Sequence, residues 1–274
     1  MVGKISTFCV DNAQGFELAN CPTRIDLFKN KSAAKDAIKQ NSKDIAPLAH
    51  RLYGEAKRSV LIVLQGMDTS GKDGTTSAIF SRTPPLNVNV ASFKSPSKRE
   101  LAHDYLWRVH NVCPAKGEIT VFNRSHFEDV LVVKVREFVS PETIEQRYTQ
   151  INNFEKHLVE NGTVVLKFML HISPETQEER LRDRLINSNK RWKFNPGDLA
   201  DRKLWPQFMD AYQTMVRRTS TDHAPWYIIP SDHRATRGAI ISGIVRGHLS
   251  EMNLQYPKTE FTPESFSDTD FEIG

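Results

Sequence analysis

Cysteine is scarce: three residues in a chain of 274, Cys9, Cys21 and Cys113, far apart and odd in number. No Cys-x-x-Cys pair or Cys/His ligand spacing accompanies them, which excludes a disulfide framework and a structural zinc site. Long hydrophobic runs are missing as well. No stretch approaches the roughly 20 apolar residues a membrane-crossing helix requires. The opening MVGKISTFCV lacks the apolar segment of an export signal. The expected location is the cytoplasm. Neither sign of charge dominates: 37 Lys and Arg against 33 Asp and Glu leave a net +4. That excludes a polybasic nucleic-acid binder, yet a small basic surplus suits anionic substrates if it is concentrated in one place. Internal repeats are absent. Apolar and charged fractions of 39% and 26% are those of an ordinary globular chain with a sizeable core.

What is present alternates. Residues 1–50 are polar and lysine-dotted, helical over 32–53, and read as an N-terminal helical extension. The first compact apolar run, VLIVL at 60–64, is β-branched and soon followed by glycine, which marks a buried parallel strand. Further strands are predicted at 88–93, 119–122, 164–170 and 226–229. Helical patterns lie between and after them at 73–81, 98–109, 126–138, 143–160, 174–186, 205–218 and 237–252. Such alternation implies one α/β domain over 51–256, a parallel five-stranded sheet with helices on both faces. Residues 257–274 carry Glu264, Asp268, Asp270 and Glu272 and read as a loosely ordered acidic tail.

The chemistry starts at GMDTSGKDG, residues 66–74, which leaves the first strand and opens a helix. This is the setting of a phosphate-binding Walker A loop, or P-loop. Gly66 permits the sharp exit. Gly71, with neighbouring N–H groups around Ser70, Asp73 and Gly74, can wrap a phosphate at the helix N-terminus. Lys72 reaches phosphate oxygens as a mobile charge. The usual motif follows its lysine with a metal-binding Ser or Thr, and here Asp73 stands there. Asp68, inside the loop, is the candidate to hold the metal instead, since hard cations prefer carboxylate oxygen. A turn-forming bond to the loop backbone is its alternative role.

The third strand runs into NRSHFED, residues 123–129. P-loop enzymes carry an aspartate at such a strand end, and Asn123 occupies it here. Arg124 is placed to clamp phosphate. If a helix starts near Ser125, Glu128 and Asp129 lie one turn in, near the crevice. Asp129 is then the second metal candidate, while Glu128 could equally be a capping partner of Ser125. His126 is assigned to packing or capping. Lys94, at the end of the second strand, is either a phosphate contact or a solvated loop lysine. Around 180–204, Arg184, Arg191 and Lys193 belong to a basic segment broken at NSN and NPG, with Trp192 and Phe194 between. Basic groups on a hinged segment suggest a lid over a polyanion.

Several motifs in order, GMDTSGKDG, SFKSPS, HDYLWRVH, FNRSHFEDVL, NFEKHL, KFMLHIS, KRWKFNPGDL and TSTDHAPWYIIPSD, resemble the polyphosphate kinase 2 family over residues 51–256. The resemblance implies a P-loop kinase fold with a helical lid. It implies Mg²⁺-dependent, reversible transfer between inorganic polyphosphate and adenine or guanine nucleotides, without nucleic acid or membrane, in a homo-oligomer, dimer or tetramer. Asp68 and Lys72 match the family's loop carboxylate and lysine. Asn123, Arg124, Glu128 and Asp129 match its second motif, and Arg191 lies in the lid. The Glu128-Asp129 pair resembles the class III branch, which phosphorylates AMP and ADP. Arg234 and Ala235 stand where related sequences commonly carry a Lys-Trp pair, so that tryptophan's role does not carry over. Two alternatives are an ATP-dependent nucleoside monophosphate kinase, which would share the loop, and a nucleotide-regulated binding protein. Asp73 argues against the first, and the modest net charge against the second.

Overall fold

A computed structural model describes residues 6–271. Its sheet has five parallel strands, β1 (Ser59–Gln65), β2 (Val88–Ser92), β3 (Ile119–Asn123), β4 (Thr163–His171) and β5 (Trp226–Pro230), in the order β2-β3-β1-β4-β5. The helices are α1 (Lys31–Glu55), α2 (Lys72–Phe80), α3 (Lys98–Leu101), α4 (Trp107–His110) and α5 (Val132–Val135). They continue with α6 (Pro141–Glu160), α7 (Pro174–Ile186), α8 (Pro196–Lys203), α9 (Trp205–Thr219) and α10 (Arg234–Glu251).

Strand periodicity decides which side chains meet. Leu61 and Val63 join Phe122, Met169 and Trp226 on one face, under α6 and α9. Ile62 and Leu64 join Val121, Phe168 and Ile229 on the other, under α1, α2 and α10. All of β1 is therefore buried. The chain passes from β1 to β2 on one side and later crosses to β4 on the other, so the strand order switches direction at β1. The loop after β1 opens into the crevice that such a switch creates.

Two helices differ from expectation. The pattern at 98–109 forms two single turns, α3 and α4, because Asp104 accepts hydrogen bonds from the N–H groups of Leu106 and Trp107 and interrupts the helical ladder. The pattern at 126–138 forms a 3₁₀ turn, His126–Asp129, followed by α5. There the Ser125 hydroxyl accepts from the Phe127 N–H, at 3.2 Å, and the valine-rich run that follows is a weak helix former. Helix α1 runs through residue 50 and lies along α10, with Asn41 donating to Ser242 Oγ at 3.0 Å. At the free side of β5, Val10 N–H donates to the Trp226 carbonyl and Cys9 pairs antiparallel with Tyr227. The tail through Phe271 has exposed 3₁₀ turns. Glu272 and the first five residues of the opening segment lie outside the described residues.

Beneath the apolar face sits a polar cluster. Lys167 on β4 donates to Glu155 at 2.5 Å and to the Thr219 carbonyl at 2.6 Å, over the rings of Phe127 and Trp226. Glu155 also meets the His126 ring nitrogen at 3.3 Å, and Lys167, Glu155 and His126 are all fully buried. Burial works to raise the Glu155 pKa, but the Lys167 ammonium and the His126 bond outweigh it and hold the carboxyl below its usual range. Removing one partner strands a buried charge. Lys167→Met should cost about 3–5 kcal/mol, and Lys167→Met with Glu155→Met should recover most of it. Urea denaturation measures both, and a double variant no more stable than the single one would refute the account.

Candidate active site

The loop between β1 and α2 bends at two glycines that accept no substitute. Gly66 has φ +145°, and a Cβ there would press on the Leu170 carbonyl. Gly71 has φ +100°, and its Cβ would strike the Arg237 guanidinium. Two non-glycine residues nearby also take left-handed backbone, Thr69 at φ 68° and Arg124 at φ 62°. Such conformations cost about 1–3 kcal/mol each and persist where the surroundings impose them. Arg124 N–H is held by the Leu64 carbonyl at 3.1 Å, so its strain is tied to the end of β1.

The first N–H groups of α2, those of Gly71, Lys72, Asp73 and Gly74, are the donors a helix leaves open at its start. Thr69 Oγ1 is buried and makes no hydrogen bond within the protein. Lys72 is buried too and donates to the Gly66 carbonyl at 2.8 Å. Burial pushes its pKa down, against the pull of the Asp68 carboxylate. These groups together form a concave floor of donors suited to phosphate oxygens.

Around that floor lies a cleft of about 600 Å³. Lys72, Lys94, Arg124, Arg180, Arg184, Lys190, Lys193, Arg234 and Arg237 line it, against Asp68, Asp73, Asp183 and Asp198. Cations outnumber carboxylates there about two to one, although the whole chain is nearly balanced. The basic surplus is thus local, and a polyanion would relieve it. One wall is the segment from α7 through the 3₁₀ turn Arg191–Lys193 to α8. Trp192 on that turn lines the cleft and is 77% exposed, and Lys193 reaches Asp73 at 3.5 Å.

A family model described as Polyphosphate kinase 2 matches residues 28–257. The chain belongs to the polyphosphate kinase 2 family. It is similar to an AMP/ADP-polyphosphate phosphotransferase of Meiothermus ruber, 47% identical over 234 residues, covering 85% of this chain and 88% of that protein. It is also similar to an ADP-polyphosphate phosphotransferase of Rhodopseudomonas palustris, 34% identical over 269 residues and 93% of each chain. The crystal structure of polyphosphate kinase 2 from Arthrobacter aurescens superposes with a TM-score of 0.89 at 35% identity, covering 92% of this chain and 91% of that one. The P-loop kinase fold expected from the sequence is the one observed, and this member of the family is a phosphotransferase.

In this family member the site residues expected from sequence divide into two groups. Asp68, Gly71, Lys72, Asp73, Gly74, Lys94, Asn123, Arg124, Arg184 and Lys193 line the cleft together. Gly66 and Ser70 lie behind the loop as supports, and Glu128 is partly buried beneath it, where burial pushes its carboxyl up. Arg191 is turned away, its guanidinium donating to the Leu185 carbonyl. Asp68 lines the cleft, whereas Asp129, its expected partner in holding the metal, does not. In the 3₁₀ turn, Asp129 swings to Arg108 at 3.6 Å and Arg147 at 3.5 Å and leaves the cleft wall. Asp73 is held by Asn123 at 2.5 Å. Asn123 therefore replaces the strand-end aspartate and Asp73 the helix-start hydroxyl, and the two bond to each other.

The carboxylate that does meet Asp68 is Asp198, on α8. Arg124 binds Asp68 at 2.5 Å, Arg184 binds Asp198 at 3.0 Å, and the two carboxyl groups lie close enough for each to act on the other. Burial and then the Asp68 charge push Asp198 up to about 6. Asp68 ends below the usual range, because Lys72 and Arg124 outweigh its burial. Of the two, Asp198 is therefore the one that takes up a proton first as pH falls. Sequence reasoning missed it because NPGD reads as an ordinary helix start. It also missed Arg234 and Arg237 as cleft residues.

A folded-state pKa above the ordinary value means that the protonated form favours the folded arrangement of this segment. The contribution is complete below the usual carboxyl range and fades as pH rises through about 6. Without divalent cations, amides of residues 190–204 should be better protected at pH 5 than at pH 7.5, after correction for intrinsic exchange. Asp198→Asn should keep the acid-like protection at pH 7.5. Equal protection at both pH values in the unmodified protein would refute this role of Asp198.

Proposed function

We propose that this enzyme transfers the terminal phosphoryl group of inorganic polyphosphate to AMP and ADP, reversibly and with Mg²⁺. The observation that carries this is the excess of cations around the phosphate floor, matched to a substrate with a charge on every unit. The substrate names of the relatives support it, and the Glu128-Asp129 pair supports acceptance of both nucleotides. An oxygen of the acceptor's terminal phosphate attacks the end phosphorus of the polymer. One P–O bond forms, one P–O–P bond breaks, and the shortened chain leaves with its electron pair. The attacking oxygen is already anionic, so no general base is needed, in keeping with a cleft that no histidine lines.

The chain's own residues orient and neutralise. Loop N–H groups and Lys72 hold one phosphate, while Arg124, Arg184 and Lys193 face it across the cleft and spread the charge of the transferring group. The segment at 180–204 acts as a lid, Trp192 with it, and excludes water that would otherwise take the phosphoryl group. Among the described residues no three His, Cys, Asp or Glu side chains form a metal cage. Mg²⁺ needs only one or two carboxylates beside substrate phosphates. Asp68 and Asp198 fit it, since two carboxyl groups in one cleft, one of them pushed up by the other's charge, would be relieved by a divalent cation. When bound it neutralises phosphoryl oxygens. No helix among the described residues is long and apolar enough to cross a membrane, and we place the enzyme in the cytoplasm as a homo-oligomer.

Incubation with polyphosphate, ADP and Mg²⁺, without ATP, should yield ATP. Lys72→Ala and Asp68→Asn should each lower kcat by about 10²-fold or more with the fold intact by circular dichroism. Transfer from ATP to AMP with none from polyphosphate would reject the reading, and near-normal turnover in either variant would reject these roles.

A further inference from the structure

The glycine loop is held from behind as well as from the cleft. Arg237, in the first turn of α10, is only 4% exposed, and its Nη1 donates to the Ser70 carbonyl at 2.8 Å. Its Nε donates to Thr75 Oγ1 at 3.0 Å, and that hydroxyl in turn donates to the Gly71 carbonyl at 3.0 Å. From α7, Arg180 donates to the Thr69 carbonyl at 2.9 Å. The carbonyls of Thr69, Ser70 and Gly71 are thus each fixed by a side chain. Arg237 lies so flat against Gly71 that no Cβ fits between them.

The charge environment of Arg237 is unusual. Burial pushes its pKa down, and the charges that act on it, those of Arg180 and Arg234, are both positive and push the same way. A buried guanidinium without a carboxylate is ordinarily unstable, and four acids lie in the cleft without one reaching it. Bonds to backbone carbonyls supply part of the compensation. They also polarise the Ser70–Gly71 peptide, strengthening its N–H as a donor on the opposite side. The missing counter-charge is then an anion seated on the loop.

We propose that Arg237 is a positioning residue for phosphoryl transfer. It fixes the Ser70 carbonyl and Thr75, which keeps the Gly71 N–H aimed at a bound phosphate, and it lends the loop floor a positive charge that no side chain cancels. This rests on the loop holding a phosphate of one substrate, as in the function proposed above.

The test uses Arg237→Gln and Arg237→Lys in the full chain, with folding checked by circular dichroism and thermal melting. Calorimetric titration with tripolyphosphate, without nucleotide, reads the loop directly, and steady-state kinetics with polyphosphate and ADP reads its consequence. Arg237→Gln should weaken tripolyphosphate binding and lower kcat, each by about tenfold. KM should rise for only one of the two substrates, and Arg237→Lys should recover part of every loss. A folded Arg237→Gln protein with unchanged affinity and kcat overturns the proposal. So does an equal rise in both KM values with no recovery by lysine, which is what a packing role would give. If Arg237→Gln does not fold, Thr75→Val decides: a severalfold loss of kcat with one KM affected supports the proposal, and unchanged kinetics overturns it. Failure of the unmodified enzyme to make ATP would instead count against the function itself.

Discussion

A small set of backbone N–H groups has to face outward where the central strand ends, and the rest of the site follows from that constraint. The turn from Gly66 to Gly71 can meet it only if its carbonyls point backward and find donors there. Lys72, Thr75, Arg180 and Arg237 supply those donors. The concentration of cations is therefore two-layered: one set only lines the cleft, and another, Lys72, Arg180 and Arg237, also ties down the carbonyls of the loop. An anionic ligand completes both layers. This explains how a chain of net charge +4 can present a strongly positive site.

The second constraint is rigidity under the 3₁₀ turn that follows β3. Arg124 sits there in a left-handed conformation and must still reach Asp68. The turn is anchored below by His126, whose ring meets Glu155, which in turn neutralises Lys167. A buried ion pair is an expensive way to fill a core. Here it joins β4, α6 and the end of α9 under the residues that must not move.

Much of this is legible in the sequence, for identifiable reasons. Runs such as VLIVL at 60–64 can only be strands covered on both faces, and the spacing of glycine and lysine at 66–74 admits few readings beyond a phosphate loop. Side-chain direction is what periodicity does not carry. Asp129 lies beside the strand end in sequence, yet a 3₁₀ turn in place of an α-helix rotates it toward Arg108 and Arg147. Asp198 is distant in sequence and comes near Asp68 only because the segment from α7 to α8 folds back over the loop. Arg237 left a trace that can now be recognised, as a lone charge entering the apolar run GAIISGIV at 238–245. A buried cation at the head of an apolar helix has to be bonded to something fixed, and here that is the loop itself.

The pairing of Val10 with Trp226, beside Cys9 and Tyr227, has a consequence for the order of assembly. The two partners are more than two hundred residues apart, so the contact closes a very large loop and its entropy must be met late. During synthesis β5 is the last strand to emerge, and until it docks the segment around Val10 has no edge to join. Newly made chains would therefore pass through a stage in which the four earlier strands are together and one flank of the sheet is bare, a stage at which a chaperone would find exposed backbone to hold.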